Sequence, residues 1–303
     1  MSNYLFNRSA SVKIGPEGSE GIQLSGLRIA FEVSKSLIAE ENRAKIIISN
    51  LSNDSKSFIK VDNVIVLSAG YLEDTGEEIV FAGYIKSFYD TVESPNIHTI
   101  LECKDGSKKM ESLKLSLSYS GSITIRQILE DLSKKVNSPI KIDFSRILMS
   151  NISTINGLSY IGELRHLLDY VCESAGLEWS FQNNSLKIQN KKETDFIQAV
   201  HLSPNTGLIS SPERMQDITG SKSKNDIDVP GWKIKALLQP KIEPGNPISI
   251  ESRDIKNGSI FKVHEVEHSG DTHGEEWHTT IKVEDVSTDK KVDSFDNIST
   301  RDE

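Results

Sequence analysis

The segment of this chain richest in chemically capable side chains is His264-Glu265-Val266-Glu267-His268, with His273 and His278 close behind. The spacing matches H-E-x-x-H, in which a helix sets two imidazoles on one face to hold zinc and places the glutamate beside the metal-bound water. The chemistry would be metal-assisted hydrolysis. The flanks argue against a helix. Asn257-Gly258 precedes the segment, Ile260-Phe261-Lys262-Val263 runs into it and Ser269-Gly270-Asp271 follows, so turn residues bracket a strand. On a strand His264 and His268 share a face, but their Cα atoms lie ~13 Å apart, too far for one zinc without a sharp bend. The reading is two exposed strand histidines. A surface metal site across the hairpin, with His273 and His278, is the alternative.

No other constellation stands out. There is no phosphate-binding Gly-rich loop, no nucleophile elbow and no dinucleotide fingerprint. The 44 acidic residues offer many carboxylate pairs, and nothing selects one. Lys108-Lys109 lies between Asp105 and Glu111, and Lys191-Lys192 runs into Glu193, so both read as solvated linker charge. Cys103 falls in an apolar strand pattern and Cys172 on the apolar side of a helix, so both read as reduced core thiols. The expectation is a protein with no catalytic, cofactor-binding or metal-ligating residue, and no enzyme.

The elements that must position these residues fall into blocks. Residues 24–105 read as β. Leu27, Ile29, Phe31 and Val33 alternate with polar or small residues, Ala44–Leu51 and Val64–Leu67 follow, and Ser52 could cap a short helical turn running through Phe58 and Ile59. Glu73–Glu77 and Ser94-Pro95-Asn96 are turns around a long strand, Ile79–Thr91, in which Gly83 marks a bulge or close approach. Residues 113–190 change character. Ile125, Ile128, Leu129, Leu132 and Val136 form a helical stripe behind Thr124 as N-cap, and Asn137-Ser138-Pro139 ends it. Ile140–Phe144 is a strand. Leu164, Leu167, Leu168, Val171, Cys172 and Ala175 make a second stripe that stops at Gly176, and a hairpin turns at Asn183-Asn184. Residues 231–286 return to β.

Two β segments overlay at an offset of 180 residues. Val80 falls on Ile260, Phe81 on Phe261, His98 on His278, Thr99 on Thr279, Leu101 on Ile281, Cys103 on Val283 and Asp105 on Asp285. Asn63–Leu67 matches Asn246–Ile250 at an offset of 183. Such a duplication lets three chains form a ring of six modules.

Composition narrows the function. The chain has 303 residues, enough for two domains or three small ones, and a formal net charge of −9. Sequence-specific nucleic-acid binding is not expected, because phosphate contacts need clustered Lys and Arg. No apolar run approaches the ~18 residues a membrane helix needs, so no membrane anchor is expected. Met1–Arg8 lacks the apolar core of a signal peptide, which suggests a product made in the cytoplasm.

Phe31–Ser36, Asn42–Ser52, Val66–Tyr71, Phe81–Ile85 and Glu102–Gly106, followed by Leu237–Pro240, Pro244–Pro247, Val263–Asp271 and Trp277–Ile281, come in the order of a known pattern. Over about residues 24–286 the chain resembles the baseplate hub proteins of Mu-like and related contractile phage tails. The resemblance implies a mainly β fold with a small α/β domain: two tail-tube-like β-barrel modules flanking an inserted α/β domain. On that reading residues 1–110 are the first module, 111–192 the α/β domain, 193–230 a polar connector, 231–286 the second module and 287–303 a polar tail. From its own residues, polar but for Val292, Phe295 and Ile298, the tail reads as flexible or as ordering only against a partner. The resemblance also implies a structural role in the virion tail baseplate. There a homotrimer would contact the tail tube or tube-initiator protein, the central spike and other baseplate proteins around a DNA channel. The alternatives are a binding module whose 113–190 domain grips the cell wall or another tail protein, a lytic tail component, and a zinc hydrolase using His264, Glu265 and His268.

Overall fold

The computed structural model describes residues 7–37, 42–74, 76–105, 113–136, 141–146, 154–191, 199–218, 229–255 and 259–285. Lys108-Lys109, Asn137-Ser138-Pro139, Lys192-Glu193, Asn257-Gly258 and the 287–303 tail lie outside them. The chain is mostly strand, as expected.

The first β unit holds β1 (Arg8–Gly15), β2 (Ile22–Leu24), β3 (Ile29–Ser36), β4 (Arg43–Ser49), α1 (Asn53–Lys56), β5 (Val64–Tyr71), β6 (Gly76–Glu93) and β7 (Asn96–Lys104). Alternation places Ile29, Phe31 and Val33 inside, where they meet Ile46, Ile48, Leu67, Phe81 and Leu101. Ser52 caps α1 by accepting from the Ser55 N–H, and the helix ends at Lys56, short of Phe58. Gly83 is a close-approach point: an added Cβ would lie 2.1 Å from the Lys104 carbonyl oxygen. β1 and β2 were not foreseen; β1 alternates, but on Ser and Ala as much as on Val12 and Ile14.

The middle of the chain holds β8 (Lys114–Thr124), α2 (Ile125–Lys135), β9 (Lys141–Arg146), β10 (Thr154–Glu163), α3 (Leu164–Ser174), β11 (Leu177–Gln182) and β12 (Ser185–Asn190). Thr124 caps α2 with a full capping box, because Gln127 reaches back to the Thr124 N–H. Gly176 has φ +65°, and Asn183 and Asn184 have φ +51° and +63°, the left-handed pair a two-residue hairpin turn needs. The apolar stripes of α2 and α3 pack on Leu117, Trp179, Leu186 and Ile188. The β8–β10 ribbon is an addition to the sequence reading.

The rest holds β13 (Val200–Leu202), β14 (Glu213–Met215), β15 (Gly231–Leu237), β16 (Pro247–Ile250), β17 (Ile260–Asp271) and β18 (Trp277–Asp285). β13 and β14 come from the stretch read as a polar connector; they pair with β16 and β15 respectively, and Leu202 and Ile218 are buried there.

The strands outside the middle domain form one thirteen-stranded sheet, ordered β14-β15-β18-β17-β3-β4-β7-β6-β5-β1-β2, with β16 beside β17 and β13 beside β16. No sheet closes on itself among the described residues, so the expected β-barrel modules are not what the hydrogen bonding forms. The reason lies in β17. Its first residues pair with β16, and then Glu265–Asp271 pair antiparallel with Ser36–Ala30 of β3. That seam joins the two β units into one open ladder.

The strand pairing repeats. β4-β7-β6-β5 has the same order as β15-β18-β17-β16. A bulge opposite Cys103/Glu102 in the first hairpin, between Ile85 and Ser87, returns opposite Val283/Lys282, between Val263 and Glu265. The return strands match at the offset of 180, with Cys103 answering to Val283 and Thr99 to Thr279. Ile65 answers to Ile248 as read. The outgoing strands differ: Ile85 answers to Val263, so Phe81 and Val80 do not match Phe261 and Ile260. The second hairpin has a longer turn, which shifts that strand by two residues.

Candidate assembly interface

The His264–His268 segment lies on β17, a strand as expected. Its histidines are not exposed, which corrects the sequence reading. His268 is fully buried, and His264 is half-buried where Glu178 of β11 lies close by. From Glu265 on, β17 is flanked by β18 and β3, and Lys262 at its start ties it to the β11–β12 hairpin by donating to the Lys191 carbonyl and pairing with Glu178. His264, Glu265 and His268 are not brought together for chemistry. Glu265 accepts from the Lys282 ammonium at 2.6 Å, and Lys262, buried beside them, pairs with Glu178. Among the described residues no group of three or more His, Cys, Asp or Glu side chains could hold a metal ion. Cys103 and Cys172 are buried, and burial pushes both thiols up to about 12.

His268 instead serves the core. The Thr279 hydroxyl accepts from the Gln239 N–H at 2.9 Å and is hydrogen-bonded to His268 Nδ1 at 2.9 Å. Burial, with the Lys35 charge nearby, pushes the imidazole down to about 3. The folded protein thus holds a neutral ring where the unfolded chain binds a proton below about 6.5. This contribution to stability is present above the unfolded value and is lost as pH falls from there toward 3. Thermal midpoints are expected to fall between pH 7 and pH 4, and to fall less in His268→Gln; equal slopes in the two proteins would refute this. In the first unit the equivalent pair is Asp90 and Thr99, with the Thr99 hydroxyl donating to Asp90 at 2.7 Å.

A polar joint holds the middle domain to both β units. The tip of the β11–β12 hairpin enters between them. Asn42, after the segment that follows β3, donates to the Phe181 backbone carbonyl at 2.6 Å and to Asp105 and the Gln182 side-chain Oε1 at 3.2 Å, and accepts from the Ser36 N–H. Gln182 donates back to the Ser36 carbonyl at 2.9 Å. Asp105 accepts from the Asn184 N–H at 2.6 Å. On the other side Lys35 donates to Asn183 at 2.9 Å, Asn183 donates to Glu243 at 2.6 Å, and Lys187 pairs with Glu243 at 2.5 Å. Lys35 is fully buried, and burial lowers its pKa. An apolar seam here would tolerate sliding; this one fixes each partner by hydrogen-bond geometry. The sequence reads Asn183-Asn184 as a hairpin turn alone. Its pairing with Asp105 is not legible there, because the partners lie about 80 residues apart.

Among the described residues the open strand edges include two on the main ladder. β14 lies at one end of it, opposite β2. Beyond Ile85, β6 pairs with β7 on one side and with no strand on the other among the described residues. Phe88, Tyr89, Val92 and Ile97 are exposed there. Such edges offer unpaired backbone groups beside exposed apolar side chains to another strand.

No protein-family model matches the chain. No curated protein matches it either. Solved structures do. A 43 kDa tail protein of prophage MuSo2 from Shewanella oneidensis is 11% identical, with a TM-score of 0.61 over 91% of this chain and 98% of that one. A tail protein from Neisseria meningitidis is 10% identical, with a TM-score of 0.61 over 92% and 97%. A component of the type VI secretion system of E. coli, described as structurally similar to bacteriophage T4 tail proteins, is 12% identical, with a TM-score of 0.59 over 91% and 77%. The chain has the fold of these tail proteins across most of its length, and the resemblance read in the sequence holds at that level.

Proposed function

We propose that this chain is the structural hub of a phage tail baseplate, with no catalytic role. Three copies would form a ring of six tube-like β modules that adapts a sixfold tail tube to a threefold spike and surrounds the DNA channel. The observation that carries the reading is the repeated strand pairing within one chain: β4-β7-β6-β5 and β15-β18-β17-β16, each with its bulge at the same place. A chain that contains two versions of one module can present a threefold set of contacts to a spike and a near-sixfold set to a tube. The net charge of −9 suits a channel wall that must not hold DNA phosphate. The polar joint suits the same role, since a hub under load needs its domains fixed in one geometry.

Native mass spectrometry of the full chain tests this. A metal-free species of about 101 kDa, three times the 33.7 kDa chain, is expected. A zinc-loaded monomer would overturn the reading and return the His264–His268 segment to consideration.

A further inference from the structure

The seam inside the chain shows what covers the edge of the second unit, and among the described residues the same edge in the first unit is bare. On β17, residues 260–262 pair with β16 and residues 265–271 pair with β3. On β6, residues 76–84 pair with β5, and beyond them residues 87–93 pair only with β7 among the described residues. The matched bulges make Phe88, Asp90 and Val92 the equivalents of Val266, His268 and Gly270, which meet β3. In place of a covering strand, Phe88 is 43%, Tyr89 47% and Val92 73% exposed. Exposed apolar residues along an unpaired strand form a template for another strand.

The same comparison identifies that strand. β3 lies beyond β4, and β14 lies beyond β15. β4 and β15 are equivalent, because Ala44 and Trp232 stand opposite Cys103 and Val283. Glu213, Arg214 and Met215 of β14 therefore occupy the places of Glu32, Val33 and Ser34 of β3. Among the described residues the outer edge of β14 is open. Each chain thus carries both halves of a second seam, on strands seven places apart in the ladder, about 34 Å along the sheet at ~4.8 Å per strand.

We propose that the distal half of β6 in one chain pairs antiparallel with β14 of a second copy, in the register of the β17–β3 seam. This deepens the hub reading and rests on it. Thr91 then stands opposite Glu213, Asp90 opposite Arg214 and Tyr89 opposite Met215. The pairing is complementary: a carboxylate faces a guanidinium, and an aromatic ring faces a thioether. The Asp90 carboxylate is held by Lys56 at 2.8 Å, and the Arg214 guanidinium lies over Trp232 at 5.0 Å, so both have defined places beforehand. Pro212 takes the place of Phe31 and has no N–H to give, so this seam is shorter than the internal one. The contact is head-to-tail, which builds a ring when its rotation closes.

The test is a disulfide across the seam in the full-length protein. Thr91 and Glu213 would form a directly opposed, non-hydrogen-bonded pair, with Cβ atoms ~4.5–5.5 Å apart, close to disulfide reach. The native thiols are buried and do not compete. Thr91→Cys/Glu213→Cys, oxidised mildly, is expected to convert most of the monomer band to covalent dimers and trimers on a non-reducing gel. Ser87→Cys/Glu213→Cys, four residues out of register and so ~13 Å apart, is expected to stay monomeric there. A trimer by native mass spectrometry that does not cross-link at 91 and 213 overturns the seam and leaves the hub reading standing. Cross-linked dimers or open filaments without a trimer support the seam and overturn the trimeric ring. A monomer at every concentration, with no cross-link, overturns both. A monomer band whose engineered thiols are consumed shows the edges meeting within one chain, which also overturns the proposal.

Discussion

Asp105→Ala is expected to destabilise the protein by about 3–5 kcal/mol, the range for removing one partner from a buried charged network. Asp105 is fully buried where the first β unit meets the β11–β12 hairpin. Its carboxylate accepts from the Asn184 N–H at 2.6 Å and from Asn42 at 3.2 Å. It also lies close enough to the buried Lys35 ammonium to favour that group's charged form. Alanine would leave the Asn184 N–H without this acceptor and leave Lys35 with less compensation for its desolvation. Asp105→Asn keeps an acceptor oxygen and removes the charge, so it should cost less. Chemical denaturation at pH 7 followed by circular dichroism would measure both. A loss under 1 kcal/mol for Asp105→Ala would mean that the joint does not hold the domains together.

The joint also marks where sequence reasoning stops. Elements set by local rules were legible. Thr124 capped its helix, Gly176 ended one, Asn183-Asn184 made the turn, and the stripes of α2 and α3 turned inward. The tail-hub resemblance held as a fold because it rests on the order of such elements along the chain. What failed depends on partners far away in sequence. Nothing in Val263–Asp271 states that half of β17 leaves β16 for β3, so closed barrels were expected where an open ladder forms. His268 looked exposed because alternation along one strand cannot report what packs over its face. The repeat was readable along the return strands, where a single offset holds, and misread in the outgoing strands, where the second hairpin's longer turn shifts the match by two residues. The open edges were invisible for the same reason: an unpaired edge is a property of the whole sheet.

Trp277→Ala is expected to cost about 3–5 kcal/mol and to loosen the seam between the two β units before anything else. Trp277 opens β18, yet it packs in the core of the first unit, 2% exposed. Its ring meets Phe31 of β3 edge-on at 5.7 Å and Tyr71 of β5 at 6.4 Å, and the Arg8 guanidinium lies 5.8 Å from its centroid. Gly270, on the neighbouring strand, makes the room. A Cβ there would fall 2.5 Å from Phe31 Cζ and 3.0 Å from Trp277 Cε3. The rings therefore lie directly across the β17–β3 pairing, filling what a side chain at 270 would otherwise occupy. Alanine at 277 empties that volume and removes the aromatic contacts that tie β18 to β3 and β5. The backbone bonds from Leu37 N–H to His264 and from Thr272 N–H to Ile29 close the two ends of this seam, so their amide exchange should quicken first. Trp277→Phe keeps most of the ring and removes an indole N–H that has no hydrogen-bond partner among the described residues, so it should cost far less. If Trp277→Ala unfolds the protein at a lower midpoint while Leu37 and Thr272 keep their relative protection, the tryptophan is ordinary core and not the fastening between the units. If their protection collapses while that of α2 and α3 persists, the two units are joined chiefly by this aromatic cluster, and the single ladder exists because it is there.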